Sequence, residues 1–367
     1  MIPIFEPKLG ELEREHLMEA IDTGWISSQG KFIPLFEENF AKWNEMSYGV
    51  ACSNCTTALH LALSVLEIGD GDEVLCPNLT FISPANMIKI TGATPILVDI
   101  EEGSWGIDPK QIEEKITNKT KAIIVVHQFG HSADMDPIMK IASKYKLKVI
   151  EDVAEAPGAK YKDKLVGTFG DMSCYSFFAN KIITTGEGGM VLTNSTYLKD
   201  RLKIYRDHGM SQEKKYVHLV AGFNYRMTNM QAAIGLGQLS RIDAILSKRK
   251  EQNKEYSKLF KTIKHLAYRP NRDWSSSVHW LATITLENEN LRDPLIKYLF
   301  DNGVEARPMI YPVNFAKPYK LTNSEDNFPI SNKISLRSLH LPSSLMITKQ
   351  QQSEIVGLID SWLNDNC

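Results

Sequence analysis

Seven short runs of apolar and β-branched residues constrain the fold of this chain most strongly. They lie at residues 48–53, 73–77, 94–100, 121–126, 148–152, 172–178 and 188–193. Most are continuously apolar, which is typical of strands covered on both faces of a sheet. Helical patterns separate many of them; after the first run, Leu59, Leu63 and Leu66 recur at helical spacing. This alternation predicts an α/β domain built on a mainly parallel, seven-stranded sheet.

The C-terminal part of the chain has a different pattern. A long polar helical stretch occupies about residues 229–261, and a few short strands and helices follow it. The 367 residues are enough for a large domain and a smaller one. We therefore predict a large α/β domain at residues 1–245 and a small α+β domain at residues 246–367.

Charge and cysteine content exclude several classes of protein. The net charge is −2 and no long basic run occurs, so neither nucleic acid nor an anionic membrane is an expected partner. The N-terminus is charged within a few residues, unlike a signal peptide, and no apolar run reaches membrane-spanning length. An odd number of cysteines, five, without a secretory signal predicts a cytoplasmic protein with free thiols.

Two of these cysteines, Cys52 and Cys55, form a C-x-x-C pair. A structural zinc site needs a second pair of cysteine or histidine ligands at comparable spacing, and the sequence has none, so no metal site is expected. A redox pair remains an alternative. The preferred interpretation is two small buried residues at the end of a strand.

Polar residues of three kinds follow three of the predicted strands, at the sheet edge where ligands bind in such folds. Ser53 to Thr57 precede a helix and suit a phosphate, although such residues also serve as ordinary helix caps. Asp152 ends another strand, either as the N-cap of a following helix or as a carboxylate facing a cationic ligand atom. Lys181 follows a third strand and either reaches solvent or acts as a desolvated nucleophile for a carbonyl.

One cofactor accounts for all three features. Pyridoxal 5'-phosphate needs a lysine for covalent attachment, an acid on its pyridine nitrogen and a cradle for its phosphate. Lys181, Asp152 and the segment from Ser53 to Thr57 supply these groups. The glycines after Lys181, in "CYSFFANKIITTGEGG", allow close backbone packing beside the ring.

Longer motifs carry a family resemblance over nearly the whole chain. They include "SSQGKFI", "SNCTTALHLAL", "IEDVAEAPGA", "SFFANKIITTGEGG", "GFNYRMTNMQAAIGLGQL" and "ARPMIYPV". With these motifs the chain resembles the DegT/DnrJ/EryC1/StrS family of sugar aminotransferases, which use pyridoxal phosphate. The resemblance implies the aspartate-aminotransferase fold, known as fold type I.

The resemblance also implies roles for individual residues. Lys181 would anchor the cofactor and move the substrate proton, and Asp152 would keep the pyridine nitrogen protonated. The other implied cofactor contacts are Glu155 near the ring hydroxyl, Phe81 stacked on the ring, Thr56, Thr57 and Ser176 on the phosphate, and Asn224 on the phosphate of a neighbouring subunit. That last contact implies a homodimer with its active sites at the subunit interface. The implied substrate residues are Trp25, Arg226, Lys31, Arg307 and Asn314.

The implied reaction moves an amino group from L-glutamate to a keto sugar nucleotide. The expected acceptor is GDP-4-keto-6-deoxymannose, which gives GDP-perosamine for a surface polysaccharide such as O-antigen or capsule. A UDP- or dTDP-linked keto sugar and a small phosphorylated ketone such as dihydroxyacetone phosphate are alternative acceptors. A dehydratase of the same fold would have histidine in place of Lys181, and a non-catalytic cofactor-binding regulator would not need the intact set of Asp152, Ser176 and Lys181.

Three residues depart from the family pattern. Cys55 replaces a glycine before the phosphate helix and would be strained if the position needs a positive φ. Gln128 lies in "HQFG" where "HLYG" is expected, and Asn314 lies in "YPVN" where histidine is expected. These residues bear on the identity of the acceptor and not on the cofactor chemistry.

Overall fold

The computed structural model describes residues 1–269, 271–319 and 328–367. The helices are α1 (Glu11–Asp22), α2 (Phe32–Trp43), α3 (Cys55–Val65), α4 (Ser83–Ile90), α5 (Pro109–Glu114), α6 (Met135–Tyr145), α7 (Thr196–Arg206), α8 (Asn229–Leu239), α9 (Ile242–Phe260), α10 (Arg292–Asp301), α11 (Pro329–Arg337) and α12 (Lys349–Asn366). The main strands are β1 (Tyr48–Cys52), β2 (Glu73–Pro77), β3 (Thr94–Val98), β4 (Thr120–Val126), β5 (Lys148–Asp152), β6 (Lys160–Tyr161), β7 (Lys164–Leu165), β8 (Met172–Ser176) and β9 (Gly189–Thr193). The later strands are β10 (Leu266–Tyr268), β11 (Ser275–Ser276), β12 (Ala282–Leu286), β13 (Arg307–Pro308) and β14 (Ser338–Leu341).

The seven predicted strands form one seven-stranded sheet in the order β1-β9-β8-β5-β4-β2-β3. Only β9 runs antiparallel to its neighbours, so the sheet is mainly parallel as predicted. Neighbouring residues of β4 point to opposite faces: Ile123 joins the core that contains α2 and α8, and Ile124 joins the core that contains α3 and α4. Burial on both faces explains why these runs are continuously apolar.

The C-terminal part forms a four-stranded antiparallel sheet in the order β10-β12-β14-β13. Leu295 of α10 and Ile355 of α12 pack in a separate apolar core together with Ile284 of β12. The helical stretch predicted over 229–261 is two helices, α8 and α9, separated by Ser240 and Arg241. The predicted domain boundary after residue 245 lies inside α9, and it remains a prediction.

Two backbone pairings join the early and late parts of the chain. In a small sheet, β11 pairs with β6, with Ser275 opposite Tyr161. Near the N-terminus, Ile2 forms a parallel bridge with Val304. Within the described ranges, none of the helices has the length and apolarity needed to cross a membrane.

All five cysteines are free thiols, and all except Cys367 are buried. Burial raises the pKa of Cys52 to about 12, which suppresses the thiolate at neutral pH. Redox chemistry requires the thiolate. The C-x-x-C pair therefore fits the preferred interpretation of small buried residues.

Candidate active site

The carboxyl ends of β1, β5 and β8 bring the three predicted cofactor groups to one edge of the large sheet. Asp152 is the last residue of β5, Ser176 is the last residue of β8, and α3 begins three residues after β1 ends. Lys181 lies in the connection between β8 and β9. The predicted strand ends therefore meet in space, as the parallel pairing of β5 with β8 requires.

The Lys181 amine has two close neighbours. Its Nζ lies 3.4 Å from Glu155 Oε1 and 3.8 Å from the centroid of the Trp280 ring. The side chain is only 13% exposed, so the amine is held and largely shielded from water. Trp280 in turn donates from its indole N–H to the Asn180 carbonyl at 2.6 Å, which fixes the ring beside the lysine loop. Sequence reasoning missed Trp280, because nothing local marks an aromatic residue of the C-terminal part as a neighbour of Lys181.

The Asp152 carboxylate is buried, and its Oδ1 accepts a hydrogen bond from the Ala154 N–H at 3.0 Å. Burial raises its pKa from the usual 3.8 to about 6; the Glu155 charge adds to the rise, and Lys181 opposes it. No helix begins between Asp152 and β6, so the N-cap interpretation of Asp152 is wrong. A buried carboxylate without an ion pair among the described residues suits a cationic N–H such as that of a protonated pyridine.

Glu155 connects the lysine to the chain segment after β4. Its Oε2 accepts the backbone N–H of Phe129 at 2.8 Å while its Oε1 faces Lys181. Phe129 has φ 51°, in the left-handed region, within a short 3₁₀ turn at Gln128–Gly130. The carboxylate thus holds a strained turn and the lysine at the same time.

The N-terminus of α3 is a well-capped helix start. Asn54 Oδ1 accepts the Thr57 N–H at 2.9 Å, and Thr57 Oγ1 accepts the Asn54 N–H at 3.2 Å. Thr56 Oγ1 lies 2.8 Å from Ser83 Oγ, and Ser176 Oγ accepts the Phe178 N–H at 3.4 Å. First-turn N–H groups and hydroxyls at one helix end form a suitable anion site. Thr57 also serves the cap itself.

Cys55 is the first residue of α3 and does not have a positive φ, so it is not strained. Its Sγ lies 4.0 Å from Asp152 Oδ1. The close approach at this helix start comes instead from Gly189 of β9, where a Cβ would lie 2.4 Å from the Asn54 carbonyl carbon. A glycine is therefore needed at residue 189 and not at residue 55.

The residues described so far fit pyridoxal phosphate. Lys181 supplies an amine, Asp152 a buried carboxylate without a cationic partner among the described residues, and the start of α3 with Ser176 an anion cradle. These are the three requirements of this cofactor. Phe81, expected on the ring face, is 61% exposed in the connection between β2 and α4.

Arg226 pairs with the end of β1 of its own chain, and Asn224 pairs with Asp207 after α7. Arg226 forms a backbone bridge with Cys52, and the Ser53 N–H donates to the Tyr225 carbonyl at 2.8 Å. The Arg226 guanidinium donates to Asn224 Oδ1 at 3.0 Å and to Asp207 Oδ1 at 2.9 Å. The two side chains are thus held to each other and to Asp207, the residue after α7.

The other predicted substrate residues are not brought to Lys181 by any described contact. Trp25 is 55% exposed, Lys31 pairs with Glu19, and Arg307 pairs with Glu305 at 2.7 Å. Asn314 is buried; it accepts from Asn78 Nδ2 at 2.9 Å and donates its backbone N–H to Asn78 Oδ1 at 3.0 Å.

Gln128 contacts the segment after β2, which Asn314 also contacts. It is buried and donates from Nε2 to the Leu79 carbonyl. Gln128 and Asn314 both hold the segment after β2, which leads to Phe81 two residues beyond Leu79. The two residues that differ from the family pattern, Gln128 and Asn314, therefore help to fix the position of the segment after β2.

Comparison with known proteins agrees with this geometry. Residues 7–360 match the DegT/DnrJ/EryC1/StrS aminotransferase family. The chain is 43% identical over 364 residues to the GDP-perosamine synthase of Escherichia coli O157:H7, with 99% of each chain covered. It is 40% identical over 365 residues to that of Caulobacter vibrioides, covering 99% of this chain and 98% of the relative.

Solved structures agree as well. PseC of Helicobacter pylori, an aminotransferase involved in the biosynthesis of pseudoaminic acid, superposes with a TM-score of 0.93 at 26% identity, with 99% of each chain covered. The PLP-form of a putative sugar aminotransferase of Streptococcus pneumoniae gives a TM-score of 0.95 at 25% identity, covering 100% of this chain and 99% of that one. The predicted fold, enzyme class and cofactor are confirmed. The chain belongs to the DegT/DnrJ/EryC1/StrS aminotransferase family, whose cofactor is pyridoxal phosphate.

Proposed function

We propose that this aminotransferase moves the amino group of L-glutamate to C4 of GDP-4-keto-6-deoxymannose and so makes GDP-perosamine for a surface polysaccharide. The observation that carries the chemistry is the shielded Lys181 amine, 3.4 Å from Glu155 at the same sheet edge as Asp152. The support for the acceptor is full-length similarity to three GDP-perosamine synthases at 38–43% identity.

Different residues of the site would bind different parts of the cofactor. Asp152 would hold the pyridine N–H, the start of α3 and Ser176 would hold the phosphate, and Lys181 would bind the cofactor covalently. When bound, the cofactor stores the amino group and withdraws electrons from the substrate carbon.

Lys181 is the group best placed to move the proton at that carbon. Glu155 and the Trp280 ring fix the position of Nζ, which limits the conformations that the amine must lose before it reacts. A positioned acid or base contributes roughly 10²–10⁴ in rate. The same amine serves both half-reactions, first with L-glutamate and then with the keto sugar.

A nucleotide sugar brings a diphosphate that needs cationic side chains. Arg226 is our first choice, because its backbone bridges Cys52 just before the phosphate helix and a bidentate fork suits phosphate oxygens. Lys31, Arg307 and Trp25 are further candidates. Asn314, which stands where the family has histidine, bonds to Asn78 and so has a role in holding the segment after β2.

We also infer a homodimer in which Asn224 reaches the cofactor of the neighbouring subunit, and a cytoplasmic location. Large apolar side chains near the site edge are exposed, among them Phe81 at 61% and Phe178 at 44%, and a second copy would cover them. The five free thiols are consistent with a reducing compartment.

The acceptor is tested by measuring kcat/KM with L-glutamate and three ketones on one preparation: GDP-4-keto-6-deoxymannose, a dTDP-linked 4-keto sugar and dihydroxyacetone phosphate. The GDP sugar is expected to give the highest value. A hundredfold preference for the small ketone, roughly 2.7 kcal/mol in transition-state binding, would leave aminotransfer intact and overturn the proposed acceptor. A lack of 2-oxoglutarate with every acceptor would favour the non-catalytic regulator.

A further inference from the structure

Two arginines, the buried Arg249 of α9 and the partly buried Arg269 after β10, form no ion pair with a carboxylate of the described ranges. Arg249 Nη1 donates to the Trp280 carbonyl at 2.9 Å, and Arg269 Nη2 donates to the Ser104 carbonyl at 3.0 Å. The remaining buried donors, Nε and Nη2 of Arg249 and Nε and Nη1 of Arg269, have no hydrogen-bond partner among those residues. The Arg269 guanidinium lies 4.4 Å from the centroid of the Trp105 ring, and the Glu155 charge acts on it without forming an ion pair. These contacts offset its charge only in part, and an incompletely balanced buried charge is costly.

A cavity of about 50 Å³, lined by both polar and apolar side chains, lies against Arg269, between the Gln128–Gly130 turn and the C-terminal part of the chain. A smaller cavity of about 10 Å³ lies against Arg249, and both are lined by Asn253, Tyr268 and His279. The Tyr268 hydroxyl donates to Asn253 Oδ1 at 2.6 Å, which leaves the Asn253 NH₂ group as a donor. None of the described lining residues is an aspartate or a glutamate.

The protonation states of the two arginines and of His279 leave the cavity with a positive charge beside it. Burial lowers the pKa of Arg269 to about 9 and that of Arg249 to about 10, so both remain cations at neutral pH. Burial and the Arg269 charge lower the pKa of His279 to about 4, so this imidazole is neutral. The surroundings of the cavity are therefore positive and rich in donors.

We propose that the larger cavity binds one small monovalent anion, of the size of a halide or formate, through Arg269 and Asn253. A cavity needs about 10–15 Å³ of space open to the centre of a water molecule for each water that it holds. About 50 Å³ of such space therefore holds one small anion with a water or two. L-glutamate and a sugar nucleotide are too large. The site is therefore separate from the substrate site, and the proposal does not depend on the acceptor.

The cavity is close enough to the active site for its charge to matter there. Phe129 lines it, donates its N–H to Glu155, and stacks its ring parallel to the Trp280 ring at 6.1 Å between centroids. Trp280 contacts Lys181 on its own ring face. A bound anion would offset the Arg269 charge behind this pair of rings.

The first test compares thermal unfolding of the holoenzyme in sodium gluconate and in sodium bromide at equal ionic strength. Because a ligand of the folded state stabilises it, we expect bromide to raise Tm by about 2 °C or more, increasing with its concentration. Arg269→Met should abolish this rise, and Arg269→Lys should retain part of it. Lys258→Met, which removes a charge from the exposed face of α9, should respond like the unchanged protein. An undiminished rise in Arg269→Met would overturn the assignment.

A second measurement does not depend on the stability of any variant. Crystals of the unchanged protein soaked in bromide should show an anomalous peak in the cavity, within contact distance of Arg269 and Asn253. A cavity filled only by water in bromide, with no peak, would overturn the proposal.

Discussion

At the scale of single residues, the proposed reaction depends most on Lys181. Among the residues that the structure describes, its amine contacts Glu155 and the Trp280 ring, and Glu155 keeps its bond to the Phe129 N–H without it, so the fold should tolerate the loss of the amine. We expect Lys181→Ala to abolish turnover while the protein still binds the cofactor non-covalently through its phosphate. Peptide mass mapping after borohydride reduction of the unchanged protein should find the cofactor on Lys181. The exposed control Lys297→Ala should keep full activity, and label on another lysine would contradict the assignment.

Asp152 gives a prediction about pH. Its folded-state pKa of about 6 exceeds the ordinary 3.8, so between these values the folded protein keeps a proton that the unfolded chain has lost. Stability from this group is thus present at low pH and falls as pH rises toward 6. Above pH 6 the buried anion costs about 3 kcal/mol in the cofactor-free protein.

Asp152→Asn should escape that cost. Cofactor-free Asp152→Asn should melt at a higher temperature than the unchanged protein at pH 8, and the difference should shrink toward pH 4. Its turnover should be lower by orders of magnitude, because a neutral amide cannot hold the pyridine proton. Thermal unfolding across pH 4–8 checks the first statement; a pH-independent difference, or near-normal turnover, would show that the carboxylate has no such role.

At the scale of elements, the approach of β9 to the start of α3 is the tightest constraint near the phosphate cradle. A Cβ at residue 189 would lie 2.4 Å from Asn54 backbone atoms, which cannot move aside as a flexible side chain can. Gly189→Ala should therefore lower the free energy of unfolding by about 1–3 kcal/mol and weaken cofactor binding. Gly357→Ala in α12 is the matched control, since nothing lies within 4 Å of its added carbon. It should be neutral or stabilising by up to about 1 kcal/mol; equal losses in both variants would refute the close-approach argument.

The helices and strands also show how much of the fold could be predicted from the sequence. Each predicted run overlaps a strand of the large sheet. The prediction succeeds because a strand that is buried on both faces has a continuously apolar sequence. The split of the 229–261 stretch at Ser240 and Arg241 was not predicted, since neither residue is a strong helix breaker. Contacts such as Asn78 with Asn314, 236 residues apart, leave no local pattern at all. For the same reason the strand ends could be predicted as a site, whereas Trp280 could not.

At the scale of the whole molecule, the contact of Asn224 with a neighbouring subunit can be tested by mixing two inactive variants. In a heterodimer of Lys181→Ala and Asn224→Ala subunits, one site regains both residues if Asn224 acts across the interface. Co-expression should then restore activity that neither variant shows alone. If Asn224 acts within its own chain, where its backbone bridges Asp207, the mixed dimer should stay as inactive as its parents.

The order of strands in the large sheet has a consequence for synthesis on the ribosome. The edge strand β1 has β9 as its one neighbour in that sheet, with Tyr48 opposite Thr193. At translation rates of about 5–20 residues per second, the chain between these partners takes roughly 7–30 s to emerge. During that interval the first strand of the sheet has no partner, although the parallel strands β2, β3, β4 and β5 can already pair with one another. The phosphate cradle, which β9 approaches closely at Gly189, therefore cannot be completed in a nascent chain before β9 has emerged.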